Sequence, residues 1–445
     1  MRVQLQRFSL TKAVPLAISR GTTAAVEHLL VEIEQDGLIG RGETGGFETG
    51  LRAYDTDAIA AELAALVPEL EPLAPDPLQA LTPLLARLSP PARCGLDLAL
   101  HDWWGQRLGQ PLHRLWGLDP GACVATSVTL GLGKPAAVLA RLERWWQQLP
   151  ASRIKLKLGS PAGSDHDRAL VQAVTEALAR RQDQHPGTLE LQVDANGGWD
   201  LATAQAMLPW LADQGVVLVE QPLAAQADPL ADRAGFAALA GQAPLALVAD
   251  ESCWNLADLL RLAPVVDGIN IKLLKSGGLS EALLMARCAR RLGLGVMLGC
   301  YSDSSLLNSA AAQLLPLVEW PDLDSHLNLV DDPFLGAVLA GDCLSPSPLP
   351  GLGVCWAPGA GAAAAQVDAA GPKVTGSKVT GSKVTGSQVT GSNRNGSKVA
   401  RAKTAPSKAA PSKTVGSKAA EARQSPSRPA KDKPKGKAQA KGPEA

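Results

Sequence analysis

The chain has 445 residues, and its formal net charge is zero because 43 Lys and Arg balance 43 Asp and Glu. Residues 371–445 nevertheless carry a net charge of +14 and residues 1–370 one of −14, so an acidic globular part precedes a basic tail. The sequence shows no apolar leader, no run of 18 apolar residues and no C-x-x-C pair among its seven cysteines. These features argue against a secreted, membrane-spanning or zinc-binding protein, and we expect a soluble, cytoplasmic one.

Residues 1–120 are predicted to form an α+β domain. The first fifty residues alternate between polar and apolar side chains as strands do, with a hairpin turn at Asp36 and Gly37. Apolar periodicity predicts helices across residues 56–118. Residues 334–365 are rich in Gly and Pro, and we expect them to return to this domain.

Residues 121–333 alternate between short β-rich runs and Ala/Leu-rich helical runs. This alternation is typical of a parallel α/β barrel, and eight strand candidates match the number in a (β/α)₈ barrel. The candidates are residues 124–130, 153–158, 189–194, 215–220, 245–250, 267–272, 294–299 and 317–324.

Three carboxylates each close one of these strands, and their side chains are expected to converge. Asp194, Glu220 and Asp250 follow one another at spacings of 26 and 30 residues, which one strand, helix and return would occupy. The carboxyl ends of the strands form the face on which barrel enzymes carry their chemistry. Three carboxylate oxygens suit Mg²⁺ better than zinc, although each carboxylate alone could also be a helix N-cap.

Lysines flank the carboxylates on both sides. Lys155 and Lys157 are two residues apart on one strand and share a face, while Lys272 closes a strand further round the barrel. A neighbouring ammonium and a metal ion would lower the pKa of Lys157 enough for it to act as a base. One amine could remove the proton from a carbon next to a carboxylate, giving a metal-stabilised enolate, and the other could return a proton to the opposite face. The alternative is that both lysines are simply solvated at their strand ends.

Several stretches of the sequence resemble the enolase superfamily, in its muconate-lactonizing subgroup. They are KLKLG, DANGGW, EQPL, ADES and NIKLLKSGGLSEA, and the resemblance covers about residues 1–360. It implies an α/β fold with an N-terminal α+β capping domain over a modified TIM-like (β/α)₈ barrel. It also implies that one Mg²⁺ per subunit is bound by three carboxylates, Asp194, Glu220 and Asp250. Lys157 and Lys272 would be the acid/base pair. Lys155 would tune the pKa of Lys157 or contact the substrate carboxylate.

Within that subgroup the sequence is most similar to bacterial dipeptide epimerases of the L-Ala-D/L-Glu type. In those enzymes a D-x-D pair, here Asp322 and Asp324 on the eighth strand, holds the free α-ammonium of the dipeptide. The resemblance therefore implies inversion of the α-carbon of the C-terminal residue of a dipeptide. Thr126 and Thr129 also resemble the epimerases, while Asp303 stands where many members carry Glu and is either a further acid near the site or a helix N-cap.

Two questions of specificity stay open at this point. o-Succinylbenzoate synthase, N-succinylamino acid racemase and muconate cycloisomerase share the same lysines and carboxylates, so only Asp322 and Asp324 separate them from an epimerase. Arg20 is present in the loop of residues 18–28, but Thr23 and Ala25 replace an arginine and a glutamate of acid-specific epimerases. The preferred second residue of the dipeptide is therefore undecided.

Residues 366–445 begin with repeats of Lys, Val, Thr, Gly and Ser and contain almost no large apolar residue. Such a segment cannot bury enough surface to offset the entropy of ordering, so we predict a disordered tail. The tail could simply be solvated, or it could hold an anionic partner weakly. The sequence is also compatible with a homo-oligomer.

Overall fold

The structure is a computed structural model that describes residues 1–182, 187–242 and 244–360. These residues belong to one compact unit, Met1–Lys373. The predicted tail, residues 366–445, lies outside the described residues, as do residues 361–365 of the predicted return. None of the helices in the described ranges is long and apolar enough to cross a membrane.

A three-stranded antiparallel sheet begins the chain. Its strands are β1 (Arg2–Ile18), β2 (Gly21–Gln35) and β3 (Leu38–Gly45). The predicted turn is confirmed, because Asp36 and Gly37 have the φ values of 56° and 76° that a type I′ hairpin requires. The register of β1 against β2 shifts between Thr11 and Leu16, so this part of β1 leaves the hairpin ladder.

The predicted helical region follows a short hairpin and packs on the sheet. The elements are β4 (Phe47–Glu48), β5 (Ala53–Tyr54), α1 (Thr56–Leu70), α2 (Leu78–Leu85), α3 (Pro90–Leu108) and α4 (Leu112–Leu115). Helix α3 lies directly against β3, where a Cβ atom on Gly42 would fall 2.0 Å from the carbonyl oxygen of Gly95. Glycine at this position is what allows the helix and the sheet to approach so closely.

Eight parallel strands follow, and neighbours in the chain are neighbours in the sheet. They are β6 (Ser127–Leu130), β7 (Arg153–Lys157), β8 (Glu190–Asp194), β9 (Val216–Glu220), β10 (Ala246–Ala249), β11 (Gly268–Ile271), β12 (Gly295–Gly299) and β13 (Trp320–Asp322). Each lies within three residues of its predicted limits, so the eight-strand prediction is confirmed.

Helices cover the outside of this sheet. They are α5 (Pro135–Gln148), α6 (Ser164–Gln182), α7 (Leu201–Asp213), α8 (Pro229–Leu239), α9 (Leu256–Leu262), α10 (Leu273–Ser276), α11 (Leu279–Arg291) and α12 (Ser305–Ala312). A 3₁₀ turn, Ser325–Asn328, takes the place of a helix after β13. The sheet is therefore a modified (β/α)₈ barrel, as predicted.

The first and last barrel strands contact each other, and side chains join them. The Thr126 hydroxyl accepts a hydrogen bond from the backbone N–H of Leu323 at 3.0 Å. The Ser127 hydroxyl donates to Asp322 at 2.6 Å, and the backbone N–H of Thr129 donates to Asp324 at 2.6 Å. The D-x-D pair therefore takes part in closing the barrel.

The C-terminal return packs on the N-terminal sheet and helices. It consists of β14 (Phe334–Leu335), β15 (Val338–Ala340), β16 (Cys343–Ser345) and β17 (Cys355–Trp356). The backbone N–H of Leu352 donates to Asp102 on α3 at 2.8 Å, and the rings of Phe8 and Phe334 meet edge to face at 5.7 Å. The return is thus observed, while domain limits at residues 120, 333 and 365 stay predictions.

Candidate active site

Polar side chains meet at the carboxyl ends of β7 to β10. Lys157, Asp194 and Glu220 pair in register across three adjacent strands, and Val248, two residues before Asp250, pairs with Glu220. All four polar side chains are buried. The sequence spacing therefore predicted correctly that these groups would converge.

Lysines donate hydrogen bonds to two of the three strand-end carboxylates, Asp194 and Asp250. Lys157 donates to Asp194 at 2.5 Å, and Lys272 donates to Asp250 at 2.8 Å. Lys275 donates to the other oxygen of Asp250 at 2.6 Å and to the Asn270 backbone carbonyl at 2.9 Å. Burial disfavours the charged form of Asp250, but the two ammonium groups outweigh burial and hold its pKa well below the ordinary value.

Lys155 lies deeper in the barrel and contacts several carboxylates. Its ammonium is 2.5 Å from Asp322 and 2.5 Å from Glu220, and it lies 3.7 Å from Asp194. Burial lowers the pKa of Lys155, but the charges of Asp322 and Glu220 outweigh burial and raise it above its ordinary value. A role in tuning Lys157 stays a prediction, because the contacts of Lys155 in this structure are with acids.

Of the three strand-end carboxylates, Glu220 is the one whose pKa is raised. Burial, followed by the nearby charge of Asp194, raises its pKa to about 8. One carboxylate oxygen accepts a hydrogen bond from Asn270 at 2.6 Å, whereas the other lies close to Lys155 without hydrogen-bond geometry. A divalent cation beside Glu220 would relieve this repulsion, and an all-carboxylate donor set suits Mg²⁺.

Lysine contacts occupy oxygens of two of the three strand-end carboxylates. Within residues 1–182, 187–242 and 244–360, no three His, Cys, Asp or Glu side chains form a ready-made metal site. The lysine contacts explain this, because the ammonium of Lys157 and those of Lys272 and Lys275 take carboxylate oxygens that a metal would use.

Both lysines of the predicted acid/base pair line a single cavity of about 340 Å³. Lys157 and Lys272 belong to β7 and to the end of β11, which are four strands apart and therefore on opposite sides of an eight-stranded barrel. Lys275 does not line this cavity. Two amines on opposite walls can exchange protons with the two faces of a carbon held between them.

Aromatic and apolar side chains line part of this cavity of the two lysines, the main cavity, together with polar and charged ones. The Tyr301 ring lies 4.5 Å from the Lys272 ammonium and stacks on Phe47 at 4.3 Å. Leu16 and Ile18 line the wall contributed by β1. The N-terminal sheet therefore contributes part of the wall beside the lysines.

Arg20 lies at the edge of this cavity, and its guanidinium is already engaged. It donates to the backbone carbonyl of Asn196 at 2.7 Å and to Glu251 at 3.0 Å. Glu251 follows Asp250 in the chain and is buried. The arginine that would attract an acidic substrate side chain is thus neutralised by an acid of the protein.

The remaining predicted site residues lie near a second cavity. Asp324 and Thr129 line this cavity, of about 190 Å³, and Tyr301 lines both cavities. Asp322 is engaged by Ser127 and Lys155, and it lines neither. Asp303 also lies outside both. One of its oxygens accepts a hydrogen bond from the backbone N–H of Tyr301 at 3.1 Å.

Three residues that the sequence interpretation missed complete the site. Asn270 holds Glu220, Asn196 donates to Asp194 at 3.1 Å, and Tyr301 covers Lys272. Asn270 could have been found, because it is two residues before Lys272 on the same strand and so shares its face. Tyr301 carries no such periodic signal, since it lies in the loop after β12.

Two family models match the chain. The model described as mandelate racemase/muconate lactonizing enzyme, N-terminal domain, matches residues 2–117, and the one described as enolase C-terminal domain-like matches residues 137–360. Together they span the N-terminal sheet and helices, most of the barrel and the described part of the return.

Named relatives agree with these models. A hydrophobic dipeptide epimerase from Flavobacteria bacterium (strain MS024-2A) is 37% identical over 79% of this chain and 97% of its own length. The L-Ala-D/L-Glu epimerase of Escherichia coli (strain K12) is 36% identical over 72% of this chain and 91% of its own.

A solved structure shares the fold. The dipeptide epimerase of Enterococcus faecalis V583, crystallised with Mg and the dipeptide L-Leu-L-Tyr, superposes with a TM-score of 0.70. The superposition covers 79% of this chain and 98% of that one, at 29% identity. The chain therefore belongs to the mandelate racemase/muconate lactonizing enzyme family of the enolase superfamily.

Proposed function

We propose that this protein is a Mg²⁺-dependent dipeptide epimerase that inverts the α-carbon of the C-terminal residue of its substrate. The observation that carries the proposal is the placement of Lys157 and Lys272 on opposite walls of one cavity beside three buried carboxylates. The names of the relatives support the substrate class, since both compared sequences and the compared structure are dipeptide epimerases.

The two lysines would each serve one face of the substrate carbon. One neutral amine removes the α-proton, and the ammonium on the opposite wall donates a proton to the other face, so the configuration inverts. The reverse reaction uses the same groups with their roles exchanged. Tyr301 and Phe47 stack on each other beside Lys272 and would form an aromatic wall next to the carbon.

The three strand-end carboxylates, Asp194, Glu220 and Asp250, would hold the metal. When bound, Mg²⁺ supplies positive charge that makes the substrate carboxylate a better electron acceptor and the α-proton more acidic. The raised pKa of Glu220 supports this assignment, because a buried acid that is poorly compensated gains most from a cation. Asn270 and Asn196 would orient two of these ligands.

The substrate would be a dipeptide with a hydrophobic C-terminal residue. Leu16, Ile18 and Phe47 line the main cavity, and Arg20 is neutralised by Glu251, so this wall favours an apolar side chain over an acidic one. Asp324 would hold the α-ammonium, because only one of its oxygens is taken by a hydrogen bond from within the described residues. Asp322 would serve mainly to fix Lys155 and the barrel seam.

A cytoplasmic location is also proposed. All seven cysteines are free thiols in the structure, which is the usual state in a reducing compartment.

Exchange of the substrate α-proton with solvent deuterium tests the proposed function. The protein is incubated with Mg²⁺ in heavy water and L-Ala-L-Leu, L-Leu-L-Tyr or L-Ala-L-Glu, and proton NMR follows the C-terminal α-position. We expect deuterium at that carbon and formation of the L,D diastereomer, fastest for the two dipeptides with an apolar second residue. Chelation of Mg²⁺ with EDTA should stop both processes. Absence of exchange in all three dipeptides would contradict the proposal.

A further inference from the structure

The smaller cavity, of about 190 Å³, contains a buried lysine that has no ion pair or side-chain hydrogen bond with the residues the structure describes. Lys12 lines this cavity and is only 6% exposed. Its ammonium makes no hydrogen bond or ion pair with any residue in the part of the chain that the structure describes. A buried unpaired cation is costly, so its position facing a cavity points to a ligand that would compensate it.

The fold places Lys12 there by a local departure from the hairpin. Between Thr11 and Leu16 the β1 strand loses its register with β2, and Lys12 instead bridges to Leu329 after the barrel. Val14 fixes this segment, since its backbone exchanges hydrogen bonds with Asn328 at 3.1 and 2.8 Å. The ammonium is therefore positioned by the barrel rather than by the hairpin.

The other two charged side chains that line the smaller cavity, Arg141 and Asp324, do have partners within the protein. Arg141 donates to Asn328 at 3.0 Å and lies over the Trp145 ring at 4.1 Å. Asp324 accepts one hydrogen bond from Thr129 and lies too far from Lys12 for an ion pair. The cavity thus presents one available carboxylate and one available ammonium at separate points of its wall.

The two cavities adjoin, because Leu16 and Tyr301 line both. Consecutive α-carbons in a peptide are about 3.8 Å apart. A dipeptide whose C-terminal α-carbon lay between Lys157 and Lys272 would extend past Tyr301. Its N-terminal residue would then lie in the smaller cavity, beside Asp324.

We infer that the smaller cavity is the subsite for the N-terminal residue, and that Lys12 makes it select an acidic side chain, Glu or Asp, at that position. This inference rests on the proposed function. The α-ammonium of such a residue faces Asp324 while its side-chain carboxylate reaches Lys12, and Val14 and Leu132 contact the methylene groups. A basic N-terminal side chain would place two cations together and is disfavoured.

The test compares four substrates that share the C-terminal residue: L-Glu-L-Leu, L-Gln-L-Leu, L-Lys-L-Leu and L-Ala-L-Leu. For the wild type we expect kcat/KM to fall from Glu to Gln to Lys, by about tenfold or more between Glu and Lys. Lys12→Met should remove the preference for Glu over Gln, and Lys12→Glu should favour the Lys substrate. Lys134→Met removes an exposed lysine that does not line the cavity, so it should retain the wild-type order.

The outcomes separate this inference from the proposed function. Turnover of L-Ala-L-Leu with equal kcat/KM for the Glu, Gln and Lys substrates would overturn the role of Lys12 and leave the epimerase proposal standing. An unchanged preference in a folded Lys12→Met protein would also overturn it. Should Lys12→Met fail to fold, Lys12→Gln keeps a polar side chain and carries the same expectation. No exchange in any of the four dipeptides would instead count against the proposed function.

Discussion

Asp303 lies beside the site and illustrates how burial changes the behaviour of an acid. It precedes the N-cap residue Ser304 of α12, one of its oxygens is buried without a hydrogen bond, and burial raises its pKa to about 6. The sequence left two roles open for Asp303, an acid at the site or a helix cap. The structure places it next to the loop that carries Tyr301, outside both cavities.

Asp303→Asn should make the protein more stable at high pH. The folded protein binds the Asp303 proton more tightly than the unfolded chain does, so the free energy of unfolding falls as pH rises from about 4 to about 6. Above pH 6 the charged form costs up to about 3 kcal/mol, which the Asn variant avoids. Urea unfolding at pH 8 should show this gain, and at pH 4 the gain should vanish.

Asp213→Asn is the matched control for this change, because Asp213 is exposed at the end of α7. It should leave the free energy of unfolding unchanged at both pH values. An equal effect of Asp303→Asn at pH 4 and pH 8 would show that the Asp303 carboxyl does not titrate as described.

Residues at strand ends could be predicted because a strand has a fixed period. Asp194, Glu220 and Lys157 follow directly from runs of buried apolar residues, and the structure brings them together. Long side chains are harder, because their contacts depend on partners distant in sequence. Lys155 on β7 contacts Asp322 on β13, two strands away round the barrel, and Lys12 reaches the smaller cavity only through an irregularity in β1.

At the scale of elements, Glu43 joins the N-terminal sheet to the barrel. This buried residue of β3 accepts hydrogen bonds from the backbone N–H groups of Ser304 and Leu307, at 3.0 Å each, and so caps the N-terminus of α12. His28 on β2 contacts the same carboxylate at 2.7 Å. A carboxylate at a helix N-terminus also interacts favourably with the helix dipole.

Glu43→Ala should lower the free energy of unfolding by about 2–4 kcal/mol, because it leaves buried N–H groups of α12 without acceptors. Glu43→Gln retains an acceptor oxygen and should cost less. Chemical denaturation measures both, with Glu71→Ala as an exposed control that should change the value by less than about 0.5 kcal/mol. Equal stability of Glu43→Ala and the control would contradict this account of the contact between β3 and α12.

The strand and helix limits of the barrel were predictable because parallel strands with both faces buried read as short apolar runs. The contact between the first and last barrel strands could not be predicted in this way. Thr126, Ser127 and Thr129 are joined to β13 and the residues after it by hydrogen bonds that involve side chains, rather than by a strand ladder. The sequence interpretation gave the D-x-D pair to the substrate alone. In the structure Asp322 is held by the protein, and Asp324 faces the smaller cavity.

At the scale of the whole molecule, the fold brings two lysines four strands apart to one cavity. The N-terminal domain supplies the apolar residues Leu16, Ile18 and Phe47 of its wall, and the barrel supplies the two lysines. Fold class and family were predictable because the motifs recur in order along about 360 residues. The shape of the two cavities was not, because it depends on how segment 12–18 of β1 lies over the strand ends.

The most direct test of the central claim compares Lys157→Ala with Lys272→Ala in heavy water, each given the L,L and the L,D form of one hydrophobic dipeptide. If the two lysines serve opposite faces of the α-carbon, both variants lose epimerisation by more than about a thousandfold. Each should still exchange the α-proton of one epimer only, and the two variants should act on opposite epimers. Epimerisation that persists in either variant, or loss of exchange on the same epimer in both, would contradict the two-lysine account.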